Sequence, residues 1–158
     1  AWYCAVASEK TPTALVLSRQ NLPPMAGSGK GALQGAYVLD DCEGTPDLIL
    51  IASGSEVSLA VQAKAALVKD GQKVRVVSMP SMEVFEEQTE EYKESVLPKA
   101  VRRRVAIEAL SGFGWDRYTG LDGALVTMDG FGASGPAEKL LEHFGFTVEH
   151  VVEVARSL

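Results

Sequence analysis

The chain has 158 residues, 46% hydrophobic and 23% charged, the balance of one globular domain of ordinary size with room for a core. Its formal net charge of −6 excludes a general nucleic-acid or membrane-surface binder, which needs a basic face, and no apolar run approaches the ~20 residues of a bilayer span. Cys4 and Cys42 have neither metal-ligand nor redox spacing and read as two reduced thiols of a cytoplasmic protein.

The chain opens on Ala1–Ala7, an apolar stretch with no initiator Met and no basic-then-apolar leader. It reads as the last turns of a helix in a piece of a longer protein. Thr13–Ser18 is β-branched and apolar, and predicts a strand. Pro23 and Pro24 end regular structure. Met25–Gly35, with four glycines, reads as a linker. Ala36–Leu39 predicts a short strand, and Asp40–Pro46 a polar turn. Leu48–Ala52 is an unbroken apolar run bounded by turn residues, as in a strand buried on both faces of a parallel sheet. Ser53 and Glu56 then have capping-box spacing, opening a helix over Glu56–Lys69.

Val57, Ala60, Val61, Leu67 and Val68 mark that helix's buried stripe, with Lys64 laying its stem along it and its ammonium in water. Gly71 is suited to the left-handed position after the helix. Val74–Met79 is the next strand. Strand, helix and strand at this spacing require a crossover, hence a parallel pair. Glu83, Glu86, Glu87, Glu90, Glu91 and Glu94 fall on short helices and read as solvated faces rather than a metal cluster. Arg102, Arg103 and Arg104 read as a surface loop making weak ion pairs.

Val105–Ala109 predicts a third buried strand. It carries Glu108 at its carboxyl edge, where a carboxylate can do acid–base work or tie down a loop; the absence of a histidine partner favours the second. Phe113, Trp115 and Tyr118 form an aromatic packing cluster. Gly123–Met128 predicts a fourth parallel strand. Phe131–Pro136 is a second strand-to-helix loop, followed by helices stopped at Gly145 and capped at Thr147. His143 and His150 are seven residues apart across the Gly145 break and read as surface histidines. The loops at Ser53, Gly54, Ser55 and Ser134 are candidate anion sites, since helix N-termini at strand ends favour negative charge. No nucleophile–histidine–acid set and no zinc pattern is present, so no catalytic, cofactor-binding or metal-ligating residue is assigned.

Several segments together resemble the transketolase family. Leu17-Ser18-Arg19-Gln20-Asn21-Leu22-Pro23 is similar to the family's signature at the end of its pyrimidine-binding domain. Gly35–Leu39, Ala52–Val57, Arg75–Pro80, Ser95–Pro98, Phe131–Ser134 and Phe144–Thr147 match the family in order. The resemblance implies an α/β fold of the transketolase C-terminal type. That fold is a three-layer α/β/α arrangement on a mostly parallel five-stranded sheet with one antiparallel edge strand. It also implies a division into residues 1–24, the tail of the pyrimidine-binding domain; 25–35, a linker; and 36–158, the C-terminal domain.

The family's enzymes are cytoplasmic homodimers of the pentose phosphate pathway. They transfer a two-carbon ketol unit between sugar phosphates using thiamine diphosphate and a divalent cation, Mg or Ca. The segments that hold that cofactor, and the catalytic histidines, have no counterpart here. The chain alone is therefore expected to be inactive and to partner the remaining transketolase domains. Arg19 matches the family's arginine for the sugar phosphate, a role suited to a guanidinium fork. Two other readings stay open: an anion- or nucleotide-binding regulatory module, and a purely structural dimerisation domain.

Overall fold

The computed structural model describes residues 1–158. Strands β1 (Tyr37–Asp40), β2 (Leu48–Ala52), β3 (Val74–Ser78), β4 (Arg104–Glu108) and β5 (Ala124–Thr127) form one sheet in the order β1-β3-β2-β4-β5. β2 pairs in parallel with β3 and β4, and β4 with β5, while β1 joins the β3 edge antiparallel. This is the mixed α/β sheet that the sequence predicts. β2 lies at its centre, and all five of its residues are buried.

Helices cover both faces. Alternation along β2 sends Leu48, Leu50 and Ala52 into one cluster and Ile49 and Ile51 into the other. The first cluster is closed by α2 (Glu56–Lys69) and α7 (Val148–Ser157), through residues such as Ala60, Leu67, Val151 and Ala155. The second is closed by α3 (Met82–Glu86), α4 (Glu90–Val96) and α5 (Asp116–Thr119), through Phe85, Val96, Trp115 and Tyr118. Each fully buried aliphatic or aromatic side chain contributes about 1.5–3 kcal/mol, so neither face of the sheet can be given to solvent. α6 (Ala137–His143) precedes α7 at the surface. Thr147 caps α7 as expected, its Oγ1 accepting from the His150 N–H at 3.2 Å.

Several expectations need correction. No strand forms over Thr13–Ser18; the segment has no regular structure and is unpaired, with Val16 93% exposed. A strand needs a neighbour for its N–H and C=O groups, and none of the five strands adjoins it. The helix expected at the start forms as α1 (Trp2–Ala7), with no buried residue. The glycine-rich segment holds a 3₁₀ helix, Lys30–Gln34, and Met25 packs onto the core.

The buried stripe of α2 runs through Val57, Ala60, Ala63, Lys64 and Leu67, leaving Val68 47% exposed. Lys64 is buried to its tip. Its ammonium donates to Asp40 Oδ1 at 2.6 Å and the Asp41 carbonyl at 2.5 Å, because β1 lies over the place where water was expected. Phe113 points into solvent, while Trp115 and Tyr118 pack edge to face at 6.2 Å. Arg104 opens β4 instead of lying in the surface loop.

Candidate functional site

The carboxyl ends of β2 and β4 are neighbours. Their register pairs Ala52 with Ile107, which brings the next residues, Ser53 and Glu108, side by side. The Ser53 hydroxyl donates to Glu108 Oε2 at 2.7 Å. The capping box is therefore not formed. Ser53 spends its hydroxyl across the sheet, and no side chain caps the first helical turn. Glu56 is buried. Its Oε1 accepts from the Ser55 hydroxyl at 2.5 Å and its Oε2 from the Ala109 N–H at 3.4 Å. A carboxylate in this first turn also gains from the helix dipole.

Burial raises the Glu108 carboxyl above the ordinary glutamate range; the Ser53 hydrogen bond pulls it back, and the nearby Glu56 charge pushes it up again. The N-terminus of α2 thus faces two carboxylates, and the Ser53 and Ser55 hydroxyls both donate to them.

Gly54, at the tip of this loop, has φ +51°, and a Cβ there would stand 3.6 Å from Ser18 Oγ. The loop consequently adjoins the segment carrying Arg19, which is exposed. Gly54 and Ser55 also line a cavity of about 270 Å3 with Leu22, Pro23, Tyr37 and Ser78. Ser53 and Ser134 do not line it. Ser134 is exposed on the loop after β5 and shares no hydrogen bond with the other three. Of the candidate residues, then, Ser53, Gly54 and Ser55 are assembled with Glu56 and Glu108, Arg19 lies one residue from the loop's contact at Ser18, and Ser134 stands apart.

The Ser53–Glu108 pair was missed from sequence. Its one signal was a polar residue at the end of each of two apolar strands. Adjacency of those strands depends on strand order, which sequence does not print.

No group of three His, Cys, Asp or Glu side chains converges anywhere in the chain. His143 packs edge-on against Phe144, His150 lies 4.0 Å from Glu153, and Cys4 and Cys42 are free thiols. This donor set does not fit the divalent cation of a thiamine diphosphate site.

The family model described as "Transketolase-like TK C-terminal domain" matches residues 35–147. The chain belongs to the transketolase family. The probable transketolase of Streptococcus pneumoniae serotype 4 is 55% identical over 159 residues, covering 100% of this chain and 24% of the relative. The solved transketolase from Leishmania mexicana superposes with a TM-score of 0.93 at 48% identity, over 100% of this chain and 23% of that one. A Pichia stipitis transketolase, solved in complex with sedoheptulose-7-phosphate, superposes with a TM-score of 0.81 at 43% identity, over 88% and 20% of the two chains. The chain spans about a quarter of the length of the curated transketolases it matches, and its residues 35–147 match the family's C-terminal domain.

Proposed function

We propose that this chain is the closing part of a transketolase that transfers a two-carbon ketol unit from a ketose phosphate to an aldose phosphate. Residues 1–24 are the tail of a pyrimidine-binding domain, 25–35 the linker and 36–158 the C-terminal domain. Thiamine diphosphate and its Mg or Ca ion are held by the other domains, in a cytoplasmic homodimer of the pentose phosphate pathway. This chain's direct contribution to substrate is Arg19, which holds the sugar's phosphate by charge-assisted hydrogen bonds.

The observation that carries this reading is the placement of Arg19: exposed, at a bend in an unpaired segment, beside the carboxyl-end loop of the central strand. The exposed apolar side chains of α1 and of Val16 support the assignment of residues 1–24 to a neighbouring domain. The sugar phosphate bound by the Pichia stipitis relative supports the ligand class.

In the complete enzyme, Arg19→Gln should raise KM for phosphorylated acceptors about 10- to 150-fold, the equivalent of about 1.5–3 kcal/mol for a hydrogen bond to a charged group. KM for an unphosphorylated acceptor such as glycolaldehyde should stay unchanged. Steady-state kinetics with both acceptor types decide it; an equal loss on both removes Arg19 from phosphate binding.

A further inference from the structure

At the amino end of the sheet lies a second cavity, between the loop entering β4 and the turn entering β5. It measures about 200 Å3, and Lys99, Arg102, Arg104, Thr119, Gly120 and Asp122 line it. That is below the ~300–1,000 Å3 of pockets for drug-sized ligands and of a size for a small ion or a single headgroup.

Arg104 is its fixed charge. The half-buried guanidinium donates to the carbonyls of Val101 at 2.8 Å, Tyr118 at 2.7 Å, Leu97 at 3.2 Å and Pro98 at 2.7 Å. No carboxylate lies within ion-pair distance of it. Lys64 and Arg75, also held inward, each meet an aspartate, while Arg103 donates to the Ala155 carbonyl at 3.0 Å. A guanidinium has five N–H donors, so one of Arg104's, on Nη1, is uncommitted. Burial works against its charge and the nearby Glu94 partly offsets this; an anion in the cavity would add to that relief.

Lys99 and Arg102 stand at the rim, 80% and 68% exposed, joined to Glu90 and Asp122. Exposed pairs of this kind are worth little and are readily exchanged for a better partner. The Lys99 backbone N–H donates to Glu94 Oε1 at 2.9 Å. The lining thus carries three cations against one carboxylate.

We propose that this cavity binds a phosphate group, as the free dianion or as the head of a small phosphomonoester. Arg102 and Lys99 close on its oxygens, Arg104 supplies the standing positive charge beneath, and Asp122 is the anion's competitor for Arg102. The site is independent of Arg19, lying at the opposite end of the strands from the loop beside it.

The test is titration of the full 158-residue chain with inorganic phosphate at constant ionic strength, followed by the backbone amide NMR signals of Gly120 and Leu121. Saturable shifts are expected. Arg102→Gln and Lys99→Gln should each weaken binding about threefold, the scale of one exposed charge contact. Asp122→Asn should tighten it. Glu43→Gln makes the same charge change at the far edge of the sheet and should leave binding unaltered. A parallel titration with glycerol 3-phosphate separates the two forms of ligand: tighter binding assigns the monoester, weaker binding the free ion. Non-saturating shifts, an equal response to chloride, or equal effects of Asp122→Asn and Glu43→Gln would overturn the proposal.

Discussion

Glu108 shows how one carboxyl can be legible and its surroundings not. Its place at a strand's carboxyl edge, and its preference for a tying role, follow from the sequence; its partner Ser53 is 55 positions away. Its folded pKa lies above the ordinary value. The folded state therefore holds the proton more tightly than the unfolded one, and the contribution to stability is fully present below the unfolded value of ~4.3 and lost as pH rises through the folded value. Glu108→Gln keeps an acceptor for Ser53 and removes the charge. It should be at least as stable as the parent at pH 7, with the advantage gone below about pH 4. Urea unfolding at both pH values measures it. A parent chain more stable than the variant at pH 7 would mean that the carboxylate is favoured there. By contrast, Tyr118 is pushed up to about 12 by burial and by its bond to Glu86, so it stays a phenol throughout that range.

At the scale of elements, β2 explains why the sheet has two helical layers. Its residues alternate between two closed clusters, and Ile49 and Leu50 are both 0% exposed although they point in opposite directions. Ile49→Ala and Leu50→Ala should therefore each cost about 2–5 kcal/mol, the range for deleting a buried aliphatic side chain. A sheet with one wet face would show a large loss for one variant and almost none for the other. The chemical denaturation midpoints of the two variants decide between these. The same element sets the loop that follows. Because β4 lies directly beside β2, the first polar residue after β2 is recruited across the sheet, and the capping-box pattern goes unused.

At the scale of the molecule, the sheet-bearing body has a closed core, while the first residues display apolar side chains to solvent: Trp2, Val6, Val16 and Leu17. Such side chains call for cover, and the proposed pyrimidine-binding domain would supply it. On the proposed division of labour, the reactive centre lies in the other domains. The purified chain, given thiamine diphosphate, Mg and sugar phosphates, should show ketol transfer no faster than a blank without protein. A coupled assay of aldose phosphate formation checks it, and measurable turnover would refute the assignment of the cofactor site to other domains.

What the residues determined alone was everything carried by local pattern. The strands at Leu48, Val74 and Val105, the helix over Glu56–Lys69, the stops at Gly71 and Gly145 and the cap at Thr147 each depend on neighbours within a few positions. The family was legible for the same reason, as a string of short motifs in order. Tertiary structure alone decided whatever joins distant segments. It formed no strand at Thr13–Ser18, for want of a partner; it buried Lys64 under β1, turned Phe113 outward, paired Ser53 with Glu108 and gathered three cations at the amino end of the sheet. The physical reason is that hydrogen-bond partners and burial belong to pairs of residues. Strand order, which no local pattern contains, chooses those pairs.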